Sequence, residues 1–78
     1  MEILNSTIIG KIKIQKSKKK SLVRVISEKG TVLINWFSPT TDGDLFTQRN
    51  LCLTLYSIDS QIDIDLETMK VAKWSKKG

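Results

Sequence analysis

The side chains with chemical reach are few. They are a lone Cys52, an acidic run Asp59, Asp63, Asp65 and Glu67, and two sets of lysines. The chain has no histidine. Cys52 therefore lacks an imidazole to draw off its proton, and its position inside an alternating stretch predicts a buried, inert thiol. Carboxylates suit a hard cation such as Mg²⁺. On one strand face, however, Asp63, Asp65 and Glu67 spread over roughly 13 Å at ~3.3 Å per residue, so one ion cannot reach all three. Asp42-Gly43-Asp44 has the opening of a calcium loop without its remaining ligands. Walker, G-x-G-x-x-G, G-x-S-x-G and paired C-x-x-C patterns are absent from the sequence. The expectation is a protein that is not an enzyme and uses neither metal nor cofactor.

The lysines point elsewhere. Lys16, Lys18, Lys19 and Lys20 form one cluster; Lys70, Lys73, Lys76 and Lys77 form another, with Trp74 inside it. Ammonium groups bind phosphate backbones by Coulomb attraction and counterion release without rigid geometry. An aromatic ring among them adds base stacking, worth about 1–3 kcal/mol per base in single-strand binders. Arg24, with Asn35 and Phe37 on the wetter face of the central hairpin, extends such a surface. The plainer alternative is a solvated loop and a solubilising tail, with Trp74 as a core plug. Trp36 falls on an apolar face and reads as core. Only Arg24 and Arg49 could supply bidentate base contacts, so binding to DNA or RNA should be weakly sequence-specific.

The net charge of +5 is unevenly spread. Residues 1–37 hold eight Lys/Arg against two acids, residues 38–67 one Arg against six acids, and residues 68–78 four Lys and no acid. A competing expectation uses the acidic middle: Asp42, Asp44, Asp59, Asp63, Asp65 and Glu67 would dock on a host protein. That would make the chain a small accessory protein of phage or mobile-element type that inhibits or modulates its target. A homodimer through an exposed sheet edge is a third expectation.

The elements that must position these residues are strands. Ten Ile, four Val and seven Thr against one Ala disfavour helices and suit pleated sheets. Ile8 to Gln15 alternates at period two and reads as one strand, with Gly10 as a bulge or bend. Ser21 to Phe37 reads as a hairpin turning on Lys29-Gly30, with Val25 opposite Ile34 and Val23 opposite Trp36. Val23, Val25, Ser27, Val32, Ile34 and Trp36 would then share the buried face. Ser38 to Asp44 is a loop by its Pro, Gly and Asp content. Leu51 to Tyr56 and Ile62 to Leu66 alternate as strands, while residues 45–50 fit a short strand or a helical turn. The C-terminal stretch reads as a hairpin at Glu67-Thr68 and a final strand over Lys70–Trp74, with a short helix as the alternative.

Gly10 to Ile14 and Ile62 to Leu66 are charge complements. Paired, they would set Lys11 and Lys13 against Asp63 and Asp65 and close a first strand onto a late one. The resulting fold is all-β: a small single-domain antiparallel barrel or half-barrel of five to seven strands over residues 1–74, with a basic tail at 75–78. OB-fold and SH3-like barrels share that general plan, but no diagnostic motif of either occurs. Without a signal peptide, a membrane span or a second cysteine, a cytoplasmic location is expected.

Overall fold

The computed structural model describes residues 2–76. The fold is all-β, with no helix among the described residues. Eight strands run antiparallel: β1 (Ile3–Ile9), β2 (Ile12–Ser17), β3 (Val23–Ser27), β4 (Val32–Phe37), β5 (Phe46–Arg49), β6 (Cys52–Tyr56), β7 (Ser60–Asp65) and β8 (Lys70–Lys76). They form two four-stranded meanders, β1-β2-β3-β4 and β5-β6-β7-β8. The chain divides into two compact units, Met1–Ser38 and Pro39–Gly78, and each unit holds one sheet. Neither sheet closes on itself, because β1 and β4 are the edges of the first and β5 and β8 of the second. The barrel expected from the sequence is therefore not formed, and eight strands replace the five to seven expected. With no helix among the described residues, none is long and apolar enough to cross a membrane.

In the first unit, Gly10-Lys11 is a two-residue turn joining β1 to β2, with Ile9 paired to Ile12. Gly10 has φ +58°, the positive angle a type II′ turn places at its first central residue. This turn corrects the reading of Ile8 to Gln15 as one strand. It also changes the phase: Ile9, Ile12 and Ile14 lie on the apolar face, whereas Ile8 pairs with Lys13 on the other. The β3–β4 connection is Glu28-Lys29-Gly30, not Lys29-Gly30. The Gly30 amide donates to Ser27 O at 3.0 Å and the Ser27 amide to Thr31 O at 2.8 Å. Gly30 takes φ +92°, so Lys29 escapes the positive φ that the shorter turn would impose.

Val25 does pair with Ile34, but register shifts on either side bring Val23 opposite Phe37 instead of Trp36. The apolar face comprises Ile9, Ile12, Ile14, Val23, Val25 and Ile34, all buried. Each such side chain contributes about 1.5–3 kcal/mol by leaving water. Val32, expected in this core, pairs with Ile26 on the opposite face and is 47% exposed.

In the second unit, residues 46–49 are a strand, and Asn50-Leu51 is the β5–β6 turn, with Arg49 paired to Cys52. Asn50 supplies the positive φ of +52°. Leu53, Leu55, Ile62 and Ile64 are fully buried on one face. The alternation that buries Leu53 and Leu55 turns Cys52, Thr54 and Tyr56 to the polar face, so Cys52 is exposed rather than buried. The β7–β8 connection is the expected hairpin around Glu67-Thr68. There Asp65 Oδ1 accepts the Glu67 amide at 2.8 Å and the Thr68 amide at 3.3 Å. The Met69 amide closes the turn onto Asp65 O at 2.7 Å.

The pairing of Gly10–Ile14 with Ile62–Leu66 does not occur. β2 lies between β1 and β3, and β7 between β6 and β8. Asp63 instead faces Lys73, and Asp65 faces Lys70. Sequence-adjacent lysines reach the acids through one four-residue turn, at far lower chain-entropy cost than a strand some fifty residues away.

Candidate nucleic-acid interface

Lys18, Lys19 and Lys20 stand on the β2–β3 loop, and its form follows from Ser17. The Ser17 amide donates to Leu22 O at 2.8 Å, and the Leu22 amide donates back to Ser17 Oγ at 2.9 Å. Ser17 is buried, and Ser21 takes φ +51° to complete the reversal. The lysines are thus exposed side chains on a hydrogen-bonded backbone loop. Lys18 contacts Glu2 at 3.7 Å, the one ion pair among the described residues. Both groups are exposed, so the contact is worth ~0–1 kcal/mol at most. Lys16, Lys19 and Lys20 are exposed.

Arg24 sits on β3, on the face opposite the apolar one. Its Nε–H donates to Gln15 Oε1 at 2.7 Å, across the Gln15–Arg24 pair of the β2–β3 ladder. Its guanidinium carbon lies 4.8 Å from the centroid of the Trp36 ring. The register shift between Val23 and Val25 carries Trp36 to this face, so Trp36 is half-buried beneath a cation instead of filling the core. Phe37, expected on the wet face, is opposite Val23 on the apolar one. Gln15 and Trp36 enter the site through the fold: Gln15 shares the polar face of β2 with Lys13, and the β2–β3 register sets it opposite Arg24.

The second lysine set lies on β8. Lys73 and Lys70 face Asp63 and Asp65, and Lys76 faces Ser60. Lys77 lies outside the described residues. Trp74 pairs with Ile62 yet remains 55% exposed, so it is not a core plug. The polar face of the second sheet carries cross-strand rows Arg49–Cys52–Asp65–Lys70 and Thr47–Thr54–Asp63–Lys73. Thr54 Oγ1 donates to Asp63 Oδ1 at 2.8 Å. A shallow groove of about 420 Å³ beside Arg49, Cys52, Asp65 and Glu67 carries both signs of charge.

The acids stand on several elements of the second unit. Asp59 Oδ1 accepts from Ser57 Oγ at 3.1 Å at the start of β7, Glu67 follows its end, and Asp42 and Asp44 are exposed in the loop before β5. That loop is closed by Thr40, whose Oγ1 accepts the Asp42 amide at 3.2 Å and whose amide donates to Tyr56 O at 3.0 Å. Among the described residues, no group of three or more His, Cys, Asp or Glu is arranged to hold a metal ion.

Charge therefore follows the structural division. Residues 1–38 hold eight Lys/Arg and two acids, a net +6; residues 39–78 hold five Lys/Arg and six acids, a net −1. No family model, curated protein or solved structure matches this chain.

Proposed function

We propose that the protein is a non-catalytic module that binds the phosphate backbone of nucleic acid with weak sequence specificity, mainly through its first unit. The observation that carries this reading is the concentration of a net +6 in residues 1–38. Lys16, Lys19 and Lys20 and the Arg24 face contribute to it with no carboxylate pairing among the described residues. Lys70 and Lys73 take a lesser part, because each has an aspartate directly across the ladder. Point-charge lysines dominate, so the affinity comes from counterion release and falls steeply with salt.

The test is fluorescence anisotropy with dye-labelled, mixed-sequence single-stranded and double-stranded oligonucleotides at low salt. Binding should weaken strongly in the Lys18→Ser/Lys19→Ser/Lys20→Ser variant and little in Lys70→Ser/Lys73→Ser. Absence of binding by the unaltered protein at low salt would overturn the reading. Recovery of one stoichiometric protein after nuclease treatment would then favour the protein-docking alternative.

A further inference from the structure

The mixed face of the first sheet offers more than charge. Along it, Ser6, Gln15 and Arg24 form one cross-strand row, and Ile8, Lys13, Ile26 and Val32 form the next. Ile8 is 70% exposed and Val32 47% exposed. Ile8 and Val32 thus stand exposed at the two ends of the row next to that of Arg24, with Lys13 and the buried Ile26 between them.

Arg24 is held at two points. Gln15 takes its Nε–H at 2.7 Å, and Trp36 lies beneath it. A guanidinium has five N–H donors. Among the described residues only the Nε–H is engaged, so the four Nη–H remain for a ligand. A planar cation resting on an aromatic ring presents its outer side as a flat surface on which a nucleobase stacks, and its edge as a fork for a phosphate.

We propose that Arg24, positioned by Trp36 and Gln15 beside exposed Ile8 and Val32, is a stacking platform that makes the protein prefer single-stranded polynucleotide over duplex. The occupant is recognised through phosphates and base faces. Charge complementarity selects a polyanion, and the apolar residues select one whose bases are unstacked. A duplex keeps its base faces inside the helix and offers this surface phosphates alone. The inference rests on the backbone-binding reading above and adds the strand state of the ligand. Trp36 is a positioning residue here: its ring lies under the guanidinium carbon and helps hold it in place.

The experiment compares dye-labelled single-stranded DNA with a duplex of the same length, on the full chain, by anisotropy. Arg24→Lys keeps the charge and removes the planar fork. It should lower single-strand affinity about tenfold, the loss of one stacked base, and change duplex affinity less than about twofold. In a Trp74→Phe background Trp36 is the sole tryptophan, and its emission should shift when single-stranded DNA is added but not when duplex is added. This second readout does not depend on the Arg24 variant folding. Equal losses on both ligands, no loss on either, or a Trp36 signal indifferent to strand state would overturn the proposal. If the lysine-loop variant still loses binding to both ligands, backbone binding stands without strand preference. If the unaltered protein binds neither ligand, both readings fall.

Discussion

At Ser17 one buried hydroxyl accepts the Leu22 amide at 2.9 Å and so holds the ends of the lysine loop together. Removing it leaves that amide without its side-chain partner. Ser17→Ala should therefore cost about 1 kcal/mol in urea unfolding, within the usual range for one such bond. The same variant should raise amide hydrogen exchange over residues 18–21 while leaving β7 and β8 unaffected. Gly10 is a second point of this kind. Its φ of +58° is open to glycine and strained for a residue bearing Cβ, although a Cβ there would meet nothing within 4 Å. Gly10→Ala should thus destabilise by roughly 1 kcal/mol through backbone conformation alone, and a urea midpoint lowered without a changed slope would confirm it.

At the scale of strands, the register of β7 against β8 replaces the long-range pairing that the charges of Lys11, Lys13, Asp63 and Asp65 predict. Asp63 and Lys73 are directly opposed across the ladder. A double-mutant cycle on Asp63→Asn and Lys73→Gln should give a coupling of about 0.2–1 kcal/mol, reduced by salt. Ile62, fully buried on the other face of β7, is different in kind. Ile62→Ala should cost about 2–5 kcal/mol in the same unfolding measurement. The strands themselves were largely legible because period-two alternation marks Val23–Ser27, Cys52–Tyr56 and Ile62–Asp65 plainly. Their registers were not. An irregularity between Val23 and Val25 carries Trp36 across the sheet, a second between Val25 and Ile26 does the same for Val32, and no residue pattern announces a bulge. β1 was legible only at its end, because Leu4-Asn5-Ser6-Thr7 lacks an apolar face. The turn at Gly10-Lys11 hid inside an unbroken alternation of isoleucines. As for the site, its lysine loop could be read from composition, whereas the Arg24–Trp36 contact depends on the first of those bulges and could not.

Over the whole molecule, the charge divides at residue 38 into +6 and −1. For a single-stranded ligand, each phosphate neutralised adds about 0.7 to the slope of log affinity against log salt. Replacing Lys18, Lys19 and Lys20 by serine should flatten that slope by about two. Replacing Lys70 and Lys73 should flatten it by less than about one, and a salt titration of anisotropy separates the cases. The meander order of both sheets carries a kinetic corollary. Every strand bonds only to its neighbours in sequence, so no ladder has to wait for distant ends to meet. Sandwiches and closed barrels refold slowly because remote pairings must be found by diffusion. This chain should refold as local hairpins zip in succession, nearer the pace of mixed α/β proteins than of other all-β ones, and stopped-flow tryptophan emission can time it.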